Sequence, residues 1–435
     1  MVSLYRIILL IVLLFTGSCS DDEILVGGEK VNFIKDNIVI NKQLSLEDPK
    51  LNKQIKNTNW VQKGGNKYHS LSNISFKMPL KKIWTFDTDQ EISEDNPFLI
   101  LPVSFANKLY ILNSEGFIFC LNKKDGSLVW KKKYFKEDED TLLGSGSLVF
   151  DKFRNSIIAH NGRNKIISIN SKTKKIDWSL MNQLPFRGSL SISGNNLVVN
   201  DYDGNLLNIN TDSGSIIWKK KLGSSSMSIY SNARPVIAKN LIVNPGSNGI
   251  FHVLRLDTGR LIYSDILPKN NDLAIFNNND IIANPIFYDG NIYILSHSGT
   301  FSAYDHRTFK SLWSISIGGK NTPLISGETI FIIDNLARLL AIKAITGEVR
   351  WKTKFKNQKQ SGYIFEKQTV INYHGPFLVD DKILIFNSNG DLFYLNPKDG
   401  KIVTKKSFNE LAAAPLFFTD HIIFLFSDGK ISRFN

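Results

Sequence analysis

The feature that most constrains this chain is a unit that recurs along it at spacings of about 38 to 53 residues. The clearest copy, residues 115–130, has a turn at Gly116, an alternating strand, a turn at Asp125-Gly126 and a last strand with Trp130. Asp-Gly and Ser-Gly turns supply the positive φ of tight hairpins, and alternation of apolar and polar residues is typical of strands. This spacing suits four-stranded propeller blades.

Three positions keep their place from copy to copy. The second turn falls at 126, 174, 214, 259, 309, 347 and 400. Four residues later the chain carries Trp130, Trp178, Trp218, Tyr263, Trp313, Trp351 and, in the last case, Thr404. Fourteen residues before the first turn stand Pro102, Pro235, Pro285, Pro323, Pro376 and Pro415. Proline lacks an N–H, which predicts that each first strand is the innermost edge of a blade. The aromatic residues are predicted to dock between neighbouring blades.

The two ends of the chain predict how the ring closes. The last unit supplies three strands and stops at Asn435, one strand short. The missing strand is present upstream, in residues 82–86, and carries Trp84 at the docking position. We therefore predict an all-β fold over residues 80–435: an eight-bladed β-propeller of four-stranded antiparallel blades. Pairing of the N-terminal strand with the C-terminal blade would leave no open gap in the ring.

The first 19 residues are predicted to be a signal peptide. Arg6 precedes an apolar stretch from Ile7 to Phe15 that is too short to span a bilayer, and small residues lead to Cys19. This order resembles a bacterial lipobox, which implies lipidation of Cys19, and Ser20 after it favours the outer membrane. A plain secretory signal is the alternative.

The other non-periodic segments are assigned as follows. Residues 20–59 are polar and predict a flexible tether, residues 60–79 form an entry segment, and loops are expected near 267–281 and 356–372.

Composition argues against several kinds of chemistry. Besides Cys19 the chain has only Cys120, so with Cys19 lipidated no intrachain disulfide is expected. The seven histidines form no HExxH or other close metal pair, and neither a nucleophile elbow nor a Walker loop occurs. We expect no metal, no cofactor and no catalytic residues. The net charge of +13 is either spread over solvated faces or gathered against anionic lipid or an acidic partner; nucleic acid is not expected for an exported chain.

The repeated turn and tryptophan resemble the docking motif of propellers related to pyrroloquinoline quinone (PQQ) enzymes. A second segment, Asn59-Trp60-Val-Gln62-Lys-Gly64-Gly65-Asn66-Lys-Tyr-His69, is similar to the entry segment of BamB-type proteins. Val61 stands where that family usually has Pro. The BamB-type proteins are propeller lipoproteins of the outer-membrane β-barrel assembly (Bam) machinery. The resemblance implies a non-enzymatic scaffold that aids folding and insertion of outer-membrane proteins from the periplasmic face of the outer membrane.

A local resemblance predicts a partner site. Leu184-Pro185-Phe186-Arg187-Gly188, between the second and third blades, is similar to the loop by which BamB-type proteins dock on a periplasmic (POTRA) domain of the barrel-inserting BamA-type protein. The resemblance implies that Leu184 and Phe186 are apolar anchors and Arg187 a charged contact. An ordinary inter-blade loop is the alternative. The family's acidic residues on the next inter-blade loop have no counterpart in residues 229–233.

Two other functions stay open. One is a PQQ-dependent dehydrogenase, against which stand the short chain and the missing Cys-Cys pair. The other is a periplasmic ligand-binding propeller lipoprotein. Unfolded outer-membrane proteins are the expected substrates of the scaffold.

Overall fold

The computed structural model describes residues 38–71, 73–76, 80–89, 100–135, 146–223, 233–269, 279–355, 371–411 and 413–435. Cys19, the signal peptide and most of both predicted long loops lie outside these residues. One short helix, α1 (Lys42–Leu46), precedes the strands. The first sixteen strands are β1 Lys82–Asp87, β2 Val103–Phe105, β3 Lys108–Leu112, β4 Phe117–Asn122, β5 Leu128–Lys133, β6 Ser147–Asp151, β7 Ser156–His160, β8 Lys165–Asn170, β9 Ile176–Met181, β10 Phe186–Ser193, β11 Asn196–Asp201, β12 Asn205–Asn210, β13 Ile216–Lys221, β14 Val236–Ala238, β15 Leu241–Pro245 and β16 Ile250–Arg255. The others are β17 Leu261–Ile266, β18 Ile286–Tyr288, β19 Asn291–Leu295, β20 Phe301–Asp305, β21 Ser311–Ile315, β22 Leu324–Ser326, β23 Thr329–Ile333, β24 Arg338–Lys343, β25 Val349–Lys354, β26 Tyr373–Val379, β27 Lys382–Asn387, β28 Asp391–Leu395, β29 Ile402–Ser407, β30 Leu416–Phe417, β31 Ile422–Leu425 and β32 Lys430–Phe434.

The strands form eight four-stranded antiparallel sheets, which are the blades of a β-propeller. Blades 1 to 7 each use four consecutive strands, from β2–β5 to β26–β29. Blade 8 has the order β30-β31-β32-β1, so its outermost strand comes from the N-terminal side of the ring. Trp84 pairs with Arg433 and Phe86 with Ile431 in this closing pair. The predicted eight-bladed fold and its closing strand are confirmed.

The phased prolines lie at the innermost strands. Pro102, Pro235, Pro285, Pro323 and Pro415 each directly precede the first strand of a blade, and Pro376 lies within β26. Each first strand is the free edge of its sheet, where a missing N–H removes no ladder hydrogen bond. These edges surround the central channel of the ring.

The tryptophans lie between blades. The indole of Trp84 in blade 8 packs over Gly126 in the β4–β5 turn of blade 1, and its N–H donates to Lys123 O at 3.1 Å. A Cβ on Gly126, at φ +74°, would lie 2.6 Å from that indole, so the turn needs glycine. The same arrangement joins four other blade pairs. Its indole donors and turn glycines are Trp178 with Gly214, Trp218 with Gly259, Trp313 with Gly347, and Trp351 with Gly400.

Three junctions depart from this arrangement. Between blades 1 and 2, Lys174 occupies the glycine position at φ +61°, and Trp130 packs in a core that includes Ile167 and Ile169 of blade 2.

At the second, between blades 4 and 5, Tyr263 replaces tryptophan and stacks on Phe309, which occupies the glycine position, with ring centroids 5.3 Å apart. At the third, Thr404 in blade 7 is exposed. In blade 8, β32 and β1 are the last and first strands in the sequence, so no hairpin connects them. This blade therefore offers no turn on which an aromatic residue could dock. Phe408 instead packs against Phe424 and Phe434 of blade 8.

The predicted tether does not extend to residue 59. Residues 38–59 lie on the propeller: Asn41 N donates to Val349 O at 2.9 Å, and the Lys50 ammonium lies 3.0 Å from Glu328. Ile38 and Ile40 pack on the core shared by blades 5 and 6. The apolar residues of this stretch follow neither a strand nor a helix spacing, so the sequence alone predicts a flexible tether here. Among the described residues, the one helix found is far too short to cross a bilayer.

Candidate functional site

The entry segment and the residues just before it lie across one end of the central channel, against the innermost strands of the blades. We call residues 52–71 and 73–76 the plug. Its hydrogen bonds reach the innermost strand of every blade. The partners, for blades 1 to 8 in order, are Ser104, Phe150, Ile192, Ile237, Phe287, Ser326, Leu378 and Phe417. Trp60 and Ser104 bond in both directions, at 2.7 and 2.8 Å. Because one segment contacts all eight sectors, it holds the ring together from the inside.

A buried histidine fixes the plug to blades 4 and 5. His69 Nδ1 lies 2.7 Å from the carbonyl of Pro285, so it must donate, and Nε2 accepts from Arg234 Nε at 2.7 Å. Arg234 also donates to Asn66 O at 2.8 Å. Burial, followed by the charge of Arg234, lowers the pKa of His69 well below its usual value. His69 is therefore neutral and orients the guanidinium.

The loop of residues 184–188 is held from three sides. Phe186 N donates to Arg163 O at 3.0 Å, and Tyr202 N donates to Pro185 O at 3.0 Å. Asn182 donates to Leu184 O at 2.9 Å. Residues 186–188 of this loop belong to β10, whose pairing with β11 shifts register between Arg187 and Ser191. The β7–β8 and β11–β12 turns thus position the backbone of the loop before any partner arrives.

His160, the last residue of β7, supports the loop through a hydrogen bond and a ring contact. Its Nε2 donates to Gly188 O at 3.1 Å, and its Nδ1 accepts from Gly162 N at 3.1 Å. Its ring centroid is 5.9 Å from that of Phe186. Burial lowers the pKa of His160 to about 4, so the ring is neutral near pH 7 and both hydrogen bonds are compatible.

The three predicted partner residues lie in different environments. Leu184 is exposed, and Met181, three residues earlier in the chain, is 61% exposed. Arg187 is half-buried and lines a cavity of about 430 Å³ between blades 3 and 4, together with Asn200, Asp201, Asn244 and Asp280. Phe186 is 1% exposed and belongs to the core between blades 2 and 3. It therefore offers no surface to a partner and instead supports the loop.

Two groups were missed by sequence reasoning. Met181 ends β9 and lies outside any motif. Arg234 directly precedes Pro235, one of the phased prolines. A charged residue beside a proline that marks an innermost strand could have indicated a buried charge near the channel. Among the described residues, no three His, Cys, Asp or Glu side chains come together in a way that could hold a metal ion.

The fold and the plug together define the class of this protein. It is an eight-bladed, tryptophan-docked propeller of the PQQ-like type, and pairing of β1 with β32 closes its ring. The solved structure of BamB from Moraxella catarrhalis matches with a TM-score of 0.66 at 17% identity, covering 82% of this chain and 100% of that one. A europium-containing methanol dehydrogenase matches with a TM-score of 0.66 at 10% identity, covering 84% and 89%. At these identities the structures share a fold.

Similarity in sequence identifies the relatives more specifically than similarity in fold. The family model described as "Outer membrane protein assembly factor BamB" matches residues 139–353. The protein of that name from Moranella endobia (strain PCIT) is 23% identical over 370 residues, which are 83% of this chain and 92% of the relative. The one from Yersinia pestis is 20% identical over 363 residues, or 81% and 88%. The chain is a BamB-like protein.

Proposed function

We propose that this chain is a non-enzymatic scaffold of the outer-membrane β-barrel assembly complex. A lipid on Cys19 holds it at the periplasmic face of the outer membrane, where it binds a POTRA domain of the BamA-type protein and aids insertion of unfolded outer-membrane proteins. The observation that carries the proposal is similarity to BamB proteins over 83% of the chain. A fold alone does not specify a function, and the methanol dehydrogenase shares this one.

The loop of residues 184–188 supports a docking role through its rigidity. Its backbone is held by Arg163, Tyr202 and His160, so little conformational entropy is lost when a partner binds. It presents an exposed Leu184 beside a half-buried Arg187. An arginine next to apolar contacts is a frequent composition of interface hot spots.

A pull-down from detergent-solubilised membranes tests the proposal. The tagged wild-type chain is expected to recover the BamA-type protein, and Arg187→Glu is expected to recover at least about tenfold less, since reversing a charge at a hot spot costs more than about 1.4 kcal/mol. Lys172→Glu is the matched control because Lys172 is exposed on the β8–β9 turn. If the wild type recovers no such partner, or if both variants recover equal amounts, the proposed contact is wrong.

The dehydrogenase alternative is tested separately. Calcium in such enzymes is held by carboxylate and amide oxygens, and the described residues that line the central cavity include no Asp or Glu. These residues do not fit a calcium–quinone pair. Addition of quinone and calcium should leave alcohol-dependent dye reduction at the level of a protein-free blank, and turnover above it would favour the enzyme.

A further inference from the structure

The central channel contains a cavity of about 320 Å³ directly behind the plug. Trp60, Lys63, Gly64, His69 and Leu71 of the plug line it. The positions just before or at the phased prolines of several blades complete the wall. Its volume is at the lower end of the range for small-molecule sites.

The charge of this cavity has one sign. Lys63 reaches it from the plug and Lys320 from the segment that leads into blade 6, whereas burial lowers the pKa of His374 in blade 7 to about 4, so that this ring is neutral. No Asp or Glu occurs among the described residues of its wall. Lys320 is exposed at the edge of the cavity and bonds Asn372, whereas Lys63 is half-buried. Lysine side chains on a wall whose described residues include no carboxylate give the cavity a positive potential, which favours an anionic ligand.

A third cation lies one layer behind the wall. Arg234 is 0% exposed, and its Nη2 would be 3.8 Å from a Cβ placed on Gly64. Its Nη1 is buried with no hydrogen-bond partner among the described residues. Burial lowers the pKa of Arg234 to about 9, so the guanidinium stays charged at pH 7. Arg234 thus adds a positive charge behind the cavity wall, and its hydrogen-bond partners among the described residues, Asn284, His69 and Asn66, are all uncharged.

The remaining wall is mainly apolar. Leu148, Leu324 and Phe377 line it, together with the prolines of blades 6, 7 and 8, and the polar groups are those of Ser147, Ser189, Asn284, Asn321 and Thr322. An inorganic anion would leave the apolar surface uncovered, whereas an organic anion would bury it. The shape therefore matches a molecule with a carboxylate at one end and an apolar body at the other.

We propose that the central cavity binds a small organic carboxylate, whose charged end contacts Lys63 and Lys320 in the field of Arg234 and whose apolar body packs on Leu324 and Phe377. This binding does not depend on the assembly role, and the pull-down with Arg187→Glu tests that role independently.

Isothermal titration calorimetry of the full chain in detergent tests the proposal, with sodium phenylacetate and inorganic phosphate as probes.

The proposal also predicts that binding is linked to protonation of Lys63. Burial and the charge of Arg234 lower the pKa of Lys63 to about 7, so the amine is largely neutral at pH 8. An anion beside it raises that pKa, and binding then takes up a proton. Arg234 and His69 face Lys63, and Lys320 and His374 share the cavity; Arg234 stays charged and both histidines stay neutral at pH 8. Two buffers of different ionisation enthalpy measure the uptake.

We expect saturable binding of phenylacetate with net proton uptake at pH 8. Lys63→Gln and Lys320→Gln should each weaken it about tenfold or more, the loss of one charge-assisted hydrogen bond. Lys67→Gln is the control, because Lys67 lies on the plug but not on the cavity wall. Circular dichroism checks that each variant is folded. Absence of saturable binding, equal binding by Lys63→Gln, no proton uptake, or binding of phosphate alone would each overturn the proposal.

Discussion

The closing strand makes a quantitative prediction, because the ring is completed by the non-covalent pairing of β1 with β32. Trp84 is the largest side chain of β1 that faces blade 1. It is 8% exposed, packs over Gly126 and donates to Lys123 O at 3.1 Å. Truncation of a buried tryptophan to alanine costs about 3–5 kcal/mol. The Lys123 carbonyl also accepts from Arg433 Nη1 at 2.9 Å, so its loss of the indole adds no unsatisfied acceptor.

Trp84→Ala is therefore expected to lower the free energy of unfolding by about 3–5 kcal/mol, and Trp84→Phe by about 1–2 kcal/mol, since most of the packing remains. Urea unfolding followed by far-ultraviolet circular dichroism measures both, because its signal does not depend on the tryptophan that is removed. Leu312→Ala is the control: Leu312 also lies on an outermost strand but is 49% exposed, so its expected loss is within about 0.5 kcal/mol.

The reasoning would be refuted if Trp84→Ala lost no more stability than Leu312→Ala. Such a result would mean that the plug, which bonds all eight blades, holds the ring closed without the help of β1.

Two further predictions concern the Tyr263 junction and the docking loop. Tyr263→Trp should cost about 1–3 kcal/mol by overpacking Phe309, and the addition of Phe309→Gly should recover part of it, because the pair then matches the tryptophan–glycine junctions; purely additive urea-unfolding energies would contradict this. Acidification should destabilise the chain through His160, whose pKa is about 4 in the folded chain against an ordinary value of 6.5. The unfolded chain binds the proton first, so the unfolding free energy falls as the pH drops from about 6.5 to about 4, by at most about 3 kcal/mol. His160→Gln should flatten this dependence in urea titrations, and an unchanged slope would exclude His160 as the cause.

The sequence determined the propeller because its information is periodic. Turns, prolines and aromatic residues return at fixed distances, and each reports on local geometry: a positive φ, a free sheet edge or a gap between blades. The closing strand followed from the same period, since Trp84 fills the position that the last unit lacks. Even the exception at Thr404 agrees with this logic, because blade 8 has no turn to receive an aromatic residue.

The tertiary structure alone decided what the non-periodic segments do. Residues 38–59 have no repeat, and their partners lie up to hundreds of positions away, as in the contact of Asn57 with Thr419. The burial of Phe186 depends on His160 of the preceding blade, which no local motif specifies. The approach of Lys63 to Arg234 likewise arises only when the plug crosses the channel. Such contacts depend on three-dimensional proximity between distant residues, so the period that defines the blades carries no information about them.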